Sequence, residues 1–381
     1  MTLQADELIR EASRVTGLND LGAEPFRAGF ARLVHAINNE AELNAMGLEA
    51  QRGRLLGLLA NRLRLEAAYR AQPEIAQEPI AAPIVIVGLP RTGSTMTHRL
   101  LASDPDHTAM LWWEGRHPAM LPGEVRGQPE ERRALGLAEV EAVMAASPEA
   151  MDIHPWDFEG ADEEVILLEH TFHSSVAESF MHLPSYSAWV ASQDHRPIYE
   201  ELRRMLQQLQ WQSPDRAGKR WVLKSPHHLR YMSALLAVFP DARIIQTHRT
   251  PLDTVPSFCS MCASLAAPLT DTLDAARIGR HWLDKLSVDL ARCMDTAEAH
   301  PESFLHLKFQ DMVKDPISQM ESVYHFTGES FGDRAEQAMR AYREDDAHQP
   351  GAHQYSLDDF GLDGEEISRR FARYIDRYEL A

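Results

Sequence analysis

Apolar residues follow two different patterns along the chain, and the change falls near Pro79. Before it, they recur at the spacing of amphipathic helices, and the clearest set is Leu55, Leu58, Leu59, Leu63 and Leu65. After it, they form short runs at residues 84–87, 221–223, 243–247 and 304–309. Short, largely apolar runs of this kind are typical of strands that are buried on both faces of a parallel sheet.

Helical patterns alternate with these runs, at residues 94–101, 228–238 and 272–299 and again after Pro316. Alternating strands and helices predict βαβ units with right-handed crossovers, and therefore a parallel sheet. We predict a three-layer α/β/α domain with a central parallel sheet over residues 79–381, ending in a C-terminal helical cap. Residues 1–78 are predicted to form an N-terminal helical region packed on this domain.

Composition narrows the class of protein without identifying it. The 381 residues are 44% hydrophobic and 25% charged, as in an ordinary globular protein. Lys and Arg number 38 against 57 Asp and Glu, so the formal net charge is −19. A general nucleic-acid binder needs an electropositive face, and this charge argues against that class. A small basic pocket for an anionic ligand is still compatible with the composition.

Neither the first residues nor the cysteines indicate export. The N-terminus carries Asp6 and Glu7 and lacks the basic start and the apolar stretch of a secretory signal. No window is long and apolar enough to be a membrane span. Cys259, Cys262 and Cys293 are too few for a zinc site or a disulfide framework, so we interpret them as reduced thiols. These observations predict a cytoplasmic protein.

The segment Gly-Leu-Pro-Arg-Thr-Gly-Ser-Thr at residues 88–95 lies between the first predicted strand and the following helix. Such a loop directs backbone N–H groups and a helix N-terminus at one point, which favours an anion and above all a phosphate. Its glycines match the nucleotide-binding pattern G-x-x-x-x-G-K-[ST], but Ser94 stands where that pattern has lysine. The positive charge lies instead at Arg91. We predict a P-loop-like phosphate site that does not bind a Mg-nucleoside triphosphate tightly.

Two further strand ends add polar residues at the same edge of the predicted sheet. Lys224 closes the second strand, and ligands of open α/β sheets bind outside the carboxyl ends of the strands. Arg249 follows the third strand, with Ser257 eight residues later. Arginine binds phosphate through two parallel hydrogen bonds, and a serine two helical turns along adds a hydroxyl. Together with the first loop, these residues predict one anion-binding edge.

These motifs, in this order, resemble those of PAPS-dependent sulfotransferases, and most closely a large bacterial group with G-L-P-R-T-G-[ST]-T (PAPS is 3′-phosphoadenosine 5′-phosphosulfate). Residues 221–226 and 353–362 also look like that group, so the resemblance covers nearly the whole chain. It implies that the 5′-phosphosulfate is held by Arg91, Thr92, Gly93, Ser94, Thr95 and Met96. It implies further cofactor contacts from Arg249 and Ser257, which hold the 3′-phosphate, and from Tyr355 and Ser356.

The resemblance also implies a mechanism. The acceptor oxygen attacks sulfur in line, so the protein supplies alignment, positive charge and a base. Cytosolic sulfotransferases use a histidine base, whereas protein-tyrosine sulfotransferases and some bacterial members use a glutamate shortly after the first helix, where Glu114 falls. We assign Glu114 as the base, with Arg91 stabilising the leaving 5′-phosphate and Lys224 stabilising the sulfuryl group or the bridging oxygen; no metal is expected. Alternatives for the base are Glu163, Glu164, His170 and His173.

The resemblance leaves the acceptor open. The family reaction gives PAP and a sulfate ester, and the acceptor hydroxyl would belong to a small molecule, a lipid or a glycan. Residues 112–200 are rich in aromatic side chains and are expected to form the acceptor-binding insert. Two competing functions are a Mg²⁺-dependent P-loop kinase or NTPase and a non-catalytic nucleotide-binding protein.

The anionic donor changes the meaning of the net charge. The net charge of −19 repels an anionic donor as it approaches the protein. We therefore expect a local positive pocket built from Arg91, Arg99, Lys224, Arg230 and Arg249.

Overall fold

One parallel sheet organises the protein. The computed structural model describes residues 2–24, 26–146, 157–345 and 356–380, and within them five strands pair in the order β2-β3-β1-β4-β5. The strands are β1 (Ile84–Gly88), β2 (His107–Thr108), β3 (Arg220–Lys224), β4 (Arg243–His248) and β5 (Phe304–Lys308), and every pair is parallel. The predicted parallel sheet is confirmed. Strand β2 was not predicted, because two residues are too short to give a pattern.

Helices surround this sheet. Those in the first half of the chain are α1 (Ala5–Thr16), α2 (Phe26–Glu40), α3 (Ala45–Ala71), α4 (Ser94–Ala102), α5 (Trp112–Arg116), α6 (Glu130–Ala146), α7 (Val165–Leu168) and α8 (Pro184–Ser192). Those that follow are α9 (Arg196–Gln212), α10 (His228–Val238), α11 (Pro251–Ala266), α12 (Ala275–Ala299), α13 (Phe309–Lys314), α14 (Pro316–Thr327), α15 (Asp333–Asp345), α16 (Gly364–Arg370) and α17 (Ala372–Tyr378). Short 3₁₀ turns lie at Pro73–Gln77, Glu169–Thr171, Val176–Ser179, Pro214–Arg216, Ala267–Leu269, Pro301–Ser303 and Asp358–Phe360.

The side chains of β1 separate two hydrophobic clusters. Val85 and Val87 belong to one cluster, and Ile84 and Ile86 belong to the other. Because successive side chains of a strand point to opposite faces, the clusters lie on opposite faces of the sheet. Helices α4, α14 and α15 cover the isoleucine face, and α9, α10 and α12 contribute to the valine face. The three-layer α/β/α fold is therefore confirmed.

The two ends of the chain pack on the valine face. Leu8, Phe30 and Leu59, from α1, α2 and α3, belong to the same cluster as Val85, so the N-terminal helices share a core with the sheet. The division into 1–78 and 79–381 stays a prediction. At the other end, Tyr374 of α17 places its hydroxyl 3.1 Å from His248 Nδ1 at the end of β4.

Strand register brings the predicted polar residues to one edge. Gly88, the last residue of β1, pairs with Thr247, and Lys224, the last residue of β3, pairs with Ile86, so the carboxyl ends of β1, β3 and β4 lie at the same edge of the sheet. No helix in the described ranges is both long enough and apolar enough to cross a membrane. The three cysteines are buried and carry free thiols.

Candidate active site

The loop after β1 is tightly confined. A Cβ atom at Gly88 would lie 2.5 Å from Thr247 Oγ1 and 2.6 Å from the Thr247 carbonyl oxygen, so β4 leaves room only for glycine there. Gly93, the residue before α4, has φ +85°, in the left-handed region that favours glycine. Arg91 also has a positive φ, of 69°, which is uncommon for a residue with a side chain. Strain of this kind is often retained where a loop must present groups to a ligand.

The hydroxyl of Thr92 fastens this loop to the sheet. Thr92 is fully buried, and its Oγ1 lies 2.7 Å from the Leu89 carbonyl oxygen and 2.7 Å from Thr247 Oγ1. Its side chain is therefore committed to the loop itself. Arg91, Gly93, Ser94, Thr95 and Met96 line the neighbouring cavity, and Thr92 is not among its lining residues.

Arg91 joins the loop to helix α11. Its Nε donates a hydrogen bond to Ser257 Oγ at 3.2 Å, and Arg249 Nη1 donates to the Arg91 carbonyl oxygen at 3.3 Å. The structure thus brings Arg91, one of the six residues predicted for the 5′-phosphosulfate, together with both residues predicted for the 3′-phosphate.

Two other contacts hold Arg249 in place. Its guanidinium lies 4.5 Å from the centre of the Phe309 ring, in a cation–π arrangement. Its Nη2 lies 3.2 Å from Asp253 Oδ2, one turn along the same chain segment. An anionic ligand that binds Arg249 would therefore compete with a carboxylate already present.

Lys224 extends from the end of β3 toward the same loop. Its Nζ lies 2.5 Å from Glu163 Oε1 and 3.4 Å from Thr95 Oγ1. Glu163 lines the cavity, and burial raises the pKa of its carboxyl while the charge of Lys224 partly opposes that shift. Lys224 and Glu163 form a charge pair beside the loop at residues 88–95.

Glu114, the predicted base, lies in a different environment. It is buried, and its Oε2 accepts hydrogen bonds from the Leu111 backbone N–H at 2.9 Å and from Arg216 Nη2 at 2.7 Å. Within the described residues it does not line the cavity that contains Arg91 and Glu163. Its contacts cap α5 and neutralise a buried arginine, which are structural tasks.

Two of the alternative bases, Glu164 and His170, also have hydrogen-bond partners away from the cavity. Glu164 accepts from the Lys224 backbone N–H at 2.8 Å and forms a short buried contact with His228. His170 is buried, with Nδ1 3.1 Å from the Leu167 carbonyl oxygen, and burial lowers its pKa to about 3. Of the alternatives predicted from sequence, Glu163 is the one that the structure places on the cavity.

Of the two predicted C-terminal cofactor contacts, the structure describes Ser356. Tyr355 lies outside the described residues. Ser356 is exposed, and its backbone N–H donates to Asp359 Oδ2 at 2.7 Å.

A cavity of about 520 Å³ adjoins the loop and Arg249. The segment 112–200 supplies part of its wall, including Trp112, Val165, Ile166 and Val176. The facing wall was not predicted and comes from α11 and α12, with Phe258, Met261, Leu265, Trp282 and Leu286. The cavity is therefore polar at the sheet edge and largely apolar beyond it.

The cavity has less net positive charge than the sequence predicted. Arg91 and Arg249 line the cavity, whereas Arg99, Lys224 and Arg230 are not among its described lining residues. Lys224 is paired with Glu163. Each pairing lowers the net positive charge that the basic residues offer to a ligand.

Sequence reasoning missed several polar residues of the cavity. His227 follows the strand end at Lys224 by three residues, so its position at the sheet edge was a usable signal. Tyr231 lies one turn further along α10, and Lys285 comes from α12, where no local pattern pointed to a site. Within the described ranges, no group of three or more His, Cys, Asp or Glu side chains is arranged to hold a metal ion.

The fold and the loop define an α/β protein with a candidate anion site at the carboxyl edge of a parallel sheet. A sequence model of the sulfotransferase family matches residues 83–333, and the chain belongs to that family. The chain is 25% identical, over 316 residues, to the omega-hydroxy-beta-dihydromenaquinone-9 sulfotransferase Stf3 of Mycobacterium bovis and of Mycobacterium tuberculosis, a match that covers 80% of this chain and 77% of each relative.

Two solved structures are similar over nearly the whole chain. Sulfotransferase STF1 from Mycobacterium tuberculosis has a TM-score of 0.86 and 33% identity, covering 98% of this chain and 99% of that one. Sulfotransferase STF9 from Mycobacterium avium has a TM-score of 0.89 and 28% identity, covering 99% of this chain and 97% of that one. The N-terminal helices and the C-terminal cap are thus within the matched region.

Proposed function

We propose that this sulfotransferase takes its sulfuryl group from PAPS and transfers it to the hydroxyl of an apolar acceptor. The observation that carries the proposal is the hydrogen bond between Arg91 and Ser257, with Arg249 on the Arg91 carbonyl. It joins two anion sites that a donor with phosphates at both its 5′ and 3′ positions would fill together. The family membership supports the reaction class.

Backbone and side-chain groups have separate tasks in the proposed donor site. The backbone N–H groups at the start of α4 and the Ser94 and Thr95 hydroxyls would hold the 5′-phosphate. Arg249 and Ser257 would hold the 3′-phosphate, since a guanidinium matches phosphate oxygens in pairs. Thr92 would contribute through its backbone, because its hydroxyl is bound to Leu89 and Thr247.

Lys224 and Arg91 would stabilise charge during transfer. The acceptor oxygen forms a bond to sulfur as the bond between sulfur and the bridging oxygen breaks, and that electron pair stays on the 5′-phosphate of PAP. The acceptor proton leaves to a base. Positive groups aimed at the oxygens where charge develops lower this barrier. Lys224 Nζ, 3.4 Å from Thr95 Oγ1, is well placed beside the loop for that role.

Glu114 is not the base in the proposed mechanism. Glu114 is engaged by Arg216 and by the backbone of α5, away from the cavity. Glu163 is the carboxylate beside the proposed reaction centre, but Lys224 binds it closely. We assign Glu163 the task of orienting Lys224.

An apolar acceptor fits the cavity better than a glycan does. The walls beyond the sheet edge are formed by side chains such as Phe258, Leu265 and Leu286, which cannot hydrogen-bond the hydroxyls of a sugar. A relative named for the sulfation of an omega-hydroxy menaquinone supports the same class. We propose a small molecule or lipid with one reactive hydroxyl.

Donor binding and turnover test the proposal separately. Calorimetry is expected to detect PAP binding in the presence of EDTA and no comparable binding of ATP with Mg²⁺. Release of PAP from PAPS is then measured across a panel of apolar alcohols and phenols. Tight Mg-ATP binding would favour a P-loop kinase or NTPase instead. PAP binding without turnover of any acceptor would favour a non-catalytic nucleotide-binding protein.

A further inference from the structure

Lys285 places a positive charge in the part of the cavity wall that α12 forms. The helix lines the cavity with Trp282, Lys285, Leu286 and Asp289, whose spacing puts all four on one face. The Lys285 side chain is 11% exposed, so its ammonium is largely removed from water. Such a group costs free energy in a folded protein unless other polar groups replace its hydration.

The Lys285 ammonium is balanced by charge but lacks close hydrogen-bond acceptors. An ammonium has three N–H groups, and among the described residues those of Lys285 form no hydrogen bond. Its Nζ lies 3.5 Å from Glu178 Oε2 and 4.0 Å from Asp289 Oδ2, which are ion-pair distances. Glu178 Oε2 already accepts hydrogen bonds from Ser187 Oγ at 2.7 Å and from His281 Nε2 at 3.1 Å. The N–H groups of Lys285 are therefore available to a ligand.

The Tyr231 hydroxyl is a second donor in the cavity wall that lacks an acceptor. Tyr231 lines the cavity from α10, which packs on α12, and it is 6% exposed. Its Oη has no hydrogen-bond partner among the described residues. Burial raises the pKa of Tyr231, and the Asp289 and Glu178 carboxylates add to the rise, so the hydroxyl keeps its hydrogen. Since most buried polar atoms in proteins are paired, two unsatisfied donors indicate that a ligand supplies an acceptor oxygen.

The charges around Lys285 determine which kind of oxygen fits. Two cations and two carboxylates lie together there, and their formal charges cancel. They are Lys285, Arg230, Glu178 and Asp289, with Arg230 Nη1 donating to Asp289 Oδ1 at 2.6 Å. A ligand carboxylate would add an unbalanced negative charge to this buried group, and a ligand ammonium would bring a second positive charge to Lys285. A neutral oxygen that accepts hydrogen bonds leaves the charges balanced.

We propose that Lys285 and Tyr231 form a subsite for a carbonyl oxygen of the acceptor, apart from the hydroxyl that receives the sulfuryl group. A carbonyl oxygen accepts hydrogen bonds through two lone pairs and carries neither charge nor hydrogen, so it matches both donors. The inference rests on the proposed function and narrows it. The acceptor is then an apolar alcohol or phenol that also carries a keto or ester group.

The affinities of matched ligands for the wild type are the first test. Calorimetry in excess PAP measures the Kd of an n-alkanol, of hydroxyketones of the same chain length with the carbonyl at successive positions, and of the hydroxycarboxylic acid. We expect the hydroxyketone that reaches Lys285 to bind about tenfold more tightly than the alkanol, as for one hydrogen bond to a charged group. The hydroxycarboxylic acid is expected to bind no more tightly than the alkanol.

Variants of the two donors connect this preference to the subsite. Lys285→Met removes the ammonium and keeps an unbranched side chain. If that protein does not fold, Lys285→Met combined with Glu178→Gln removes one charge of each sign and takes its place. Tyr231→Phe removes only a hydroxyl. Lys219→Met is the matched control, because its ammonium lies 4.0 Å from Asp215 and Lys219 is not among the described lining residues of the cavity.

The ratio of the two affinities is the expected site of change. Lys285→Met should abolish the preference for the hydroxyketone and raise its KM about tenfold, while the Kd values of the alkanol and of PAP stay within about threefold of the wild type. Tyr231→Phe should reduce the preference about threefold, as for a weaker neutral hydrogen bond. Lys219→Met should keep the preference of the wild type. A lysine with a structural role alone would leave this ratio unchanged.

The outcomes distinguish this subsite from the proposed function. Equal affinity of the wild type for the alkanol and every hydroxyketone, or a preference that survives in Lys285→Met, would overturn the subsite and leave sulfotransfer intact. A fall in the kcat of Lys285→Met that is equal for both ligands would place Lys285 in the transfer step and overturn it as well. If the wild type sulfates no acceptor but its binding preference is lost in Lys285→Met, the proposed function fails and the carbonyl subsite is supported. If the wild type binds neither ligand, the subsite is overturned.

Discussion

Arg91 Nε donates a hydrogen bond to Ser257 Oγ across 3.2 Å, and the two residues are 166 positions apart in the chain. One lies in the loop after β1 and the other in α11, which follows β4. The parallel order β3-β1-β4 makes these segments neighbours at the carboxyl edge of the sheet. The two halves of the proposed donor site are therefore joined by a hydrogen bond before any ligand binds.

Replacing Ser257 should weaken the binding of the 3′-phosphate. Ser257→Ala removes one hydroxyl from the proposed phosphate site and the partner of Arg91. We expect the Kd of PAP to rise about tenfold, as for one hydrogen bond to a charged group, and the Kd of AMP to change less. Calorimetry with both nucleotides measures this. Ser264→Ala is the control, since that hydroxyl bonds to Ser260 within α11; an equal loss for PAP and AMP would contradict the assignment.

Removing the carboxylate beside Arg249 should strengthen donor binding. Asp253 lies 3.2 Å from Arg249 Nη2 and competes with a phosphate for the guanidinium. Asp253→Asn should lower the Kd of PAP about threefold at low salt, and the gain should shrink as salt is added. Asp295→Asn removes the same charge from a distant ion pair with Arg373, and it should leave the Kd of PAP nearly unchanged. Weaker PAP binding by Asp253→Asn would mean that Asp253 orients Arg249.

Lys224 should act on turnover more than on donor binding. Lys224→Met is expected to lower kcat about 10³-fold, the scale of a lost charge-stabilising group, with the Kd of PAP within about threefold of the wild type. Glu163→Gln keeps a hydrogen-bond acceptor for Nζ and should lower kcat less. Lys308→Met, at a pair with Glu379, serves as the control. Normal turnover by Lys224→Met would remove Lys224 from the mechanism.

Glu114 provides a test between a structural and a catalytic role. Glu114→Ala leaves the buried Arg216 without its carboxylate, so the free energy of unfolding should fall by about 3 kcal/mol or more. Glu114→Gln retains a hydrogen-bond acceptor, so its free energy of unfolding should fall by less than that of Glu114→Ala. Chemical denaturation gives the stabilities, and PAP release gives turnover per folded molecule, which should stay within about threefold of the wild type for Glu114→Gln. A stable Glu114→Gln protein that binds PAP but does not turn over would restore Glu114 as the base.

Glu178 makes stability depend on pH in the acid range. Burial by itself raises its pKa, but the charge of Lys285 and the hydrogen bond from His281 outweigh burial and lower the pKa from 4.5 to about 2. A carboxyl whose pKa is lower in the folded state adds stability above pH about 4.5, and that contribution is lost as the pH falls toward 2. Glu178→Gln should therefore be less stable than the wild type at pH 7, with the difference shrinking on acidification.

Denaturation midpoints from pH 7 down to pH 3 measure this difference. Glu321→Gln, on the exposed side of α14, is the control and should follow the wild type at every pH. A destabilisation by Glu178→Gln that is the same at pH 7 and pH 3 would show that shape, not charge, explains the loss.

The sequence by itself determined the layer order, the family and the edge at which the polar residues collect. Short apolar runs alternating with helical patterns allow few arrangements, because parallel strands need crossovers of one hand. That rule places the ends of β1, β3 and β4 side by side, and Arg91, Lys224 and Arg249 follow from it.

Only the tertiary structure decided which polar groups are paired with which. Glu114 and Arg216 are 102 positions apart, and their contact depends on how α5 packs near the end of α9, which no local pattern encodes. The same holds for the cavity wall from α12, where no local pattern pointed to a site. A residue type and its spacing predict local geometry, whereas burial and charge neutralisation depend on side chains brought together by packing.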